Sequence, residues 1–209
     1  MNQSYKLWTK NFIILSLVNF FLTLIFFLLN ATIIVYTLDK FNASTSQAGI
    51  AAGIFTIGTL IGRLFAGKVT HSAEPKPILI IGLIFFTLTT LLYFINYGIT
   101  FLILIRFING IAMGIASTVV GTVVALTLPA SRKGEGISYF AISTALATGV
   151  GSFIGLYMSQ HAGFDMIFSF CVLLGIISLA TAFFINLPIL KTTEIKHENL
   201  GFKLSSFIE

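Results

Sequence analysis

Charge is scarce in this chain. Asp, Glu, Lys and Arg make up 9% of its 209 residues and hydrophobic residues 56%, against about 25% and 45–50% in soluble domains. That excludes an ordinary solvated surface. There is one cysteine, Cys171; an intrachain disulfide is impossible and a cysteine-based metal site has no second ligand. The three histidines, His71, His161 and His197, fall in connections or in the tail; the absence of a histidine from every apolar stretch speaks against a haem or metal site, and no cofactor or metal is expected. The four prolines, Pro75, Pro77, Pro129 and Pro188, lie in or beside connections, so no proline kink is expected. The net charge is +5, yet no cluster of four or more basic residues exists, which argues against nucleic acid or a polybasic lipid site as partner.

What the chain does have is long apolar runs. Six read as membrane spans: Phe12–Leu38, Gln47–Ala66, Ile78–Tyr97, Ile99–Leu128, Ile137–Met158 and Phe164–Leu187. Each reaches the ~20 residues needed to cross ~30 Å of hydrocarbon at 1.5 Å per residue. The first is too long for a signal-peptide core and no small-residue cleavage pattern follows it, so it reads as an uncleaved helix. The organisation expected is an N-terminal segment over 1–11, a six-helix bundle over 12–188 and a polar tail over 189–209.

Basic residues alternate along this map. Lys6, Lys10, Arg63, Lys68, Lys76, Arg132, Lys133, Lys191, Lys196 and Lys203 fall on one side, and the other side holds Lys40 alone. Cytoplasmic loops retain cations, so both termini are expected in the cytoplasm of a multi-pass plasma-membrane protein, with the lipid bilayer as its first partner. Tyr36, Tyr93, Tyr97 and Tyr157 fall at expected outer span ends, Tyr5, Trp8 and Tyr139 at inner ones, where amphipathic rings sit at headgroup level. The outer connections Asn96–Gly98 and Ser159–Gly163 are short, which predicts antiparallel neighbours. In the connection Asp39–Ser46, Asn42, Ser44 and Ser46 are candidate caps. Four G-x-x-x-G pairs, Gly49/Gly53, Gly58/Gly62, Gly110/Gly114 and Gly151/Gly155, lie in or beside spans; missing side chains let helix backbones approach and gain dispersion contact.

Arg106 is the most informative residue. It stands inside the fourth span, where a guanidinium costs ~2.5–3.5 kcal/mol on insertion scales and normally faces a cavity or a partner. The alternative is snorkelling to the outer surface, ~10 Å away. No span carries Asp or Glu in its interior; Asp39, Glu74, Glu135 and Asp165 mark span ends or loops. Asn30 on the first span lies at comparable depth and could bind a substrate, with Asn19 three turns away on a similar face; interhelical glue is the other reading of a buried Asn. An intramembrane serine protease is disfavoured, because Ser152 has no nearby His, Lys or Cys to activate it. No enzymatic activity is expected.

Three motifs then resemble the major facilitator superfamily, specifically the amino-terminal six-helix half of a drug/H⁺-antiporter-like member. Gly67 to Lys76 is similar to its G-x-x-x-D-R-x-G-R-[RK] loop, matching at Gly67 and Lys76, with His71, Ser72, Glu74 and Pro75 in place of Asp, Arg, Gly and Arg. Arg106-x-x-x-Gly110 matches its R-x-x-x-G motif, whose Arg is implicated in proton coupling. Gly151-Ser152-x-x-Gly155 resembles the antiporter G-P-x-x-G motif without its Pro, and Arg132-Lys133-Gly134-Glu135-Gly136 its R-x-G-E-G entry. The resemblance implies an all-α membrane protein, half of a fold built of two inverted three-helix repeats. It implies gating roles around Gly67, His71, Lys76, Arg132 and Glu135, and a helix-packing motif at Gly110, Gly151, Ser152 and Gly155. It implies transport of a small organic solute by alternating access, as proton-coupled efflux, completed by a second six-helix half, covalent or separate. In the family the loop Asp clamps the two halves through a helix end, a role His71 fills only weakly. The alternative is a truncated, non-transporting remnant or scaffold.

Overall fold

Helix ends are set by local chemistry. A computed structural model describes residues 6–70 and 74–186; the expectations that rest on His71 and on the tail over 189–209 fall outside the described residues. Helix α1 (Lys10–Phe41) opens on Thr9, whose Oγ1 accepts from the Phe12 amide at 3.2 Å, and closes on Asn42 in the left-handed region at φ 47°. Asn tolerates that conformation better than most residues. Helix α2 (Thr45–Thr70) follows. Of the three candidate caps, Ser44 does the work: its Oγ accepts from the Gln47 amide, and the Gln47 side chain accepts from the Ser44 amide at 3.0 Å. That is a reciprocal capping box. Helix α3 (Pro75–Leu91) starts on proline, whose missing N–H costs nothing at a first-turn position, and ends in a short 3₁₀ turn, Leu92–Phe94. Helices α4 (Ile99–Thr127), α5 (Lys133–His161) and α6 (Phe164–Phe183) complete the bundle.

All six helical segments are long and apolar enough to cross a membrane. Among the described residues the protein is an all-α, multi-pass membrane protein. Helix direction alternates along the chain, so α2 runs parallel to α4, and α1 parallel to α5. These two parallel pairs form the most extensive contacts in the molecule. The second helix of each three-helix repeat therefore packs on the first helix of the other repeat. The third helices follow the same exchange, α3 on α4 and α6 on α1. Of the two short outer connections, the one at Asn96–Gly98 joins helices that pack on each other, α3 and α4, whereas α5 and α6, joined through Ala162-Gly163, barely touch. Strand-like adjacency rules fail because every face of these helices is apolar, and contact shape selects the partner.

Glycine supplies that shape. On the α2–α4 seam, a β-carbon at Gly58 or Gly62 would press into the carbonyl oxygens of Phe107 or Ile111, and one at Gly110 or Gly114 into those of Phe55 or Thr59. On the α1–α5 seam, a β-carbon at Gly151 or Gly155 would stand 2.7 Å from Leu24 O or 2.6 Å from Leu28 O. Gly49 and Gly53 differ from the expectation: nothing lies within 4 Å of either, so this pair packs no helix among the described residues. Several buried threonine hydroxyls turn back to their own helices, as Thr32 does to Leu28 O at 2.9 Å and Thr87 to Leu83 O at 2.8 Å. In hydrocarbon no water is present to satisfy them otherwise.

Polar side chains lock the end of the bundle that carries both chain termini. Asn11 donates to Asn186 O at 2.6 Å and accepts from the Asn186 amide at 3.2 Å. Lys76 Nζ donates to Phe183 O at 3.3 Å, placing a cation on the last turn of α6, where the helix dipole is negative. Arg132 and Glu135 form a two-pronged ion pair at the start of α5, with bonds of 2.9 and 2.7 Å.

The glycine seams yield a direct test. Gly62→Ala should lower thermal stability in detergent by ~1–3 kcal/mol, the usual cost of overpacking, while Gly53→Ala should leave the melting curve unchanged. Equal melting of the two variants would contradict the seam.

Candidate functional site

Arg106 enters the bundle about 10 Å from the start of α4 and is 0% exposed. Snorkelling is therefore overturned. The guanidinium has partners within reach, so it stays among the helices. Its Nε donates to Ala51 O at 3.1 Å, and Nη2 donates to Asn30 Oδ1 at 3.2 Å and Ala52 O at 3.3 Å. The Phe55 ring lies under it, 4.6 Å from Cζ to centroid, and Phe55 stacks on Phe26 at 5.0 Å. Nη1 makes no hydrogen bond among the described residues.

The spacing of Arg106 and Gly110 has a physical cause. Gly110 admits the Phe55 backbone against α4. Because α2 and α4 run parallel, the residues one turn earlier on each helix, Ala51 and Arg106, meet next. A helix carbonyl has a second lone pair beyond its own i→i+4 bond, so Ala51 and Ala52 can accept from the guanidinium without breaking α2. Arginine suits this position because its donors fan out in a fixed plane towards acceptors on two helices; a lysine ammonium is a point charge without that preset fork.

Sequence reading missed Asn109 and Tyr93. Asn109 is 0% exposed, and its Nδ2 faces Thr89 Oγ1 at 2.8 Å, Phe86 O at 3.1 Å and Thr90 Oγ1 at 3.2 Å, all on α3. Tyr93 donates to Asn109 Oδ1 at 3.4 Å. The signal was available: Asn109 is a polar residue three positions from Arg106 in an otherwise apolar run, on a neighbouring face of the helix. Tyr93, expected at the headgroup belt, is instead 1% exposed and stacked on Phe168 at 5.4 Å. Its hydroxyl finds Asn109 inside the bundle, which removes its reason to reach for the interface.

The remaining expected site residues are dispersed. Asn30 joins Arg106, but Asn19 lies about 16 Å down α1 and spends its amide on Thr144 and Ser143 of α5, at 2.8 and 3.3 Å. Gly151 and Gly155 form the α1–α5 seam, with half-buried Ser152 beside them. Gly67 has open space around it. Lys76, Arg132 and Glu135 stand at the end of the bundle that carries the termini. A groove of about 410 Å³ opens between α1, α2 and α4, walled by Phe26, Phe55, Leu60 and Met113, with Thr56, Thr59 and Arg63 as its polar lining. Phe55 thus has Arg106 against its ring and this groove beside it. Among the described residues no cluster of His, Cys, Asp and Glu could hold a metal ion.

Comparison with known proteins places this geometry. The family model of the Major Facilitator Superfamily matches residues 15–208. The chain belongs to the Major Facilitator Superfamily. An uncharacterised MFS-type transporter of Methanocaldococcus jannaschii is 29% identical over 138 residues, 66% of this chain and 36% of that protein. The multidrug resistance protein MdtL of Salmonella paratyphi C is 30% identical over 142 residues, again 66% of this chain and 36% of that one. The crystal structure of a D-xylose-proton symporter superimposes with a TM-score of 0.67 at 15% identity, covering 84% of this chain and 48% of the symporter. That likeness carries the fold: the exchanged three-helix repeats are half of this superfamily's architecture. The chain spans about a third of the length of the curated relatives it matches. Membership places it in a family of transport proteins, outside the enzymes.

The Arg106–Asn30 bond should be measurable. In membrane proteins such bonds average well under 2 kcal/mol by double-mutant cycle, so Arg106→Met and Asn30→Ala should show a coupling of about 1 kcal/mol in detergent unfolding. Strict additivity would mean the contact carries no energy.

Proposed function

We propose that these six helices form one half of a carrier that moves a small organic solute across the plasma membrane by alternating access, in the direction of efflux and driven by protons. A second six-helix half, covalently joined or separate, completes it. One observation carries the reading: a fully buried guanidinium whose partners are neutral oxygens and a ring, with Nη1 unbonded among the described residues, beside a groove between α1, α2 and α4. An uncompensated charge at that depth is costly to keep, and it becomes useful when a charged group arrives opposite it.

Support comes from several sides. The relative named a multidrug resistance protein points to efflux, and the fold neighbour named a proton symporter points to proton coupling. On this reading the side with Lys6, Lys10, Lys68, Lys76, Arg132 and Lys133 is cytoplasmic, as the distribution of cations favours. Arg106 and Asn30 then line this half's share of the central cavity, and Asn19 serves further along the same helix. The groove of α1, α2 and α4 offers an apolar wall for the solute. Gly67, His71, Lys76, Arg132 and Glu135 act at the cytoplasmic gate, where the halves part and close. A site enclosed from both sides needs two bundles rocking against each other, because six helices present the groove on one side only.

Two measurements test this. In everted vesicles containing the carrier assembled with its second half, Arg106→Ala should abolish solute-induced proton flux while leaving the protein in the membrane; flux at the unsubstituted level would refute the role. In proteoliposomes the 209-residue chain alone should show no counterflow, and vigorous counterflow would remove the need for a partner half.

A further inference from the structure

At the end of the bundle away from the termini, α1, α3 and α6 leave a polar cleft of about 360 Å³. Its lining is buried Tyr36 and Tyr93, its walls are Phe94 and Phe164, and its rim carries Lys40, Asn96 and Asp165. Lys40 is the single cation on its side of the sequence map. Lys40 and Asp165 are both exposed and line the same space, yet they form no ion pair with each other. The rings behind them pack on one another: Tyr36 lies edge-on to Phe164 at 4.9 Å and to Phe168 at 5.2 Å, and Tyr93 stacks on Phe168. An ammonium and a carboxylate on the rim of one cleft present complementary charges for a ligand that carries both signs.

We propose that this cleft binds a small zwitterion, its anionic group on the Lys40 ammonium and its cationic group between the Asp165 carboxylate and the Tyr36 and Phe164 rings. Charge-assisted contacts would hold each end, and aromatic faces favour an organic cation, above all a quaternary ammonium. The site is separate from the α1–α2–α4 groove and does not depend on the transport reading. It does touch the buried network, because Tyr93 lines the cleft while its hydroxyl donates to Asn109, three residues from Arg106. The same chemistry could come from a free solute or from a zwitterionic lipid headgroup.

The 209-residue chain in phosphatidylglycerol nanodiscs, a lipid without a cationic headgroup, should bind glycine betaine saturably by saturation-transfer NMR. Choline and acetate, each carrying one of its charges, should bind about tenfold more weakly or worse, and Lys40→Gln and Asp165→Asn should each weaken betaine by about tenfold. Loss of betaine binding in phosphatidylethanolamine discs would identify a headgroup as the occupant, and retention a soluble zwitterion; both stand with the proposal. No betaine binding by helical, monodisperse protein in phosphatidylglycerol, choline binding as tightly as betaine, or indifference to both substitutions would overturn it.

Discussion

A guanidinium in hydrocarbon must be satisfied or leave, and the arrangement of α1, α2 and α4 follows from keeping Arg106 inside. Three hydrogen bonds, each worth about 1 kcal/mol inside a membrane protein, together with a ring face worth up to about 2 kcal/mol when desolvated, offset the ~2.5–3.5 kcal/mol insertion cost. Two of those bonds go to the backbone of α2, at Ala51 and Ala52. A backbone acceptor is within reach only where two helices nearly touch. The glycines at 58, 62, 110 and 114 are therefore part of the arginine's site, although none donates or accepts a side-chain bond. Larger residues there would push α2 outward and strand the guanidinium.

The same constraint organises the rest of the bundle. Lipid offers no hydrophobic gain for helix association, so close contact and buried polar bonds choose the partners. Glycine seams join α2 to α4 and α5 to α1, and polar bonds sit beside each seam: Arg106 with Ala51 and Asn30, Asn19 with Thr144. Asn109 adds α3 to α4 through Thr89 and Thr90. Each repeat thus hands its second helix to the other, and the six helices interlock into one unit that can move as a body. Rigid units with few internal freedoms suit a carrier that rocks.

Much of this was legible in the residues. Span positions follow from hydropathy and length, and the ends of the helices from Thr9, Ser44-x-x-Gln47 and Pro75. The R-x-x-x-G pair was legible as a motif, and its meaning became clear only once the parallel register of α2 and α4 set Ala51 opposite Arg106. Packing partners were not legible, because an all-apolar helix has no polar face to orient it. Connection length misled for α5, which lies on α1. Gly49/Gly53 carries the same pattern as the working seams but meets no helix among the described residues, so spacing alone cannot separate a seam from an open face. Tyr93 escaped because residues at span ends read as interfacial until a buried acceptor such as Asn109 Oδ1 is in view.

The chemistry of the central charge narrows what it can do in a proton-driven cycle. Guanidinium groups are not deprotonated in proteins, so on the proposed reading Arg106 acts as a fixed positive charge and the mobile proton travels on another group. None of the apolar spans carries Asp, Glu or His in its interior, and the acceptors around Arg106 are an amide and two backbone carbonyls. A titrating carboxylate must then be brought to Arg106 from beyond these six helices, by the second half or by the solute. Facing the guanidinium, such a carboxylate would release its proton more readily than when turned away, because the nearby cation favours its charged form. Alternating exposure of Arg106 between the two halves would by itself alternate proton affinity, linking the rocking motion to the proton gradient through one immobile charge.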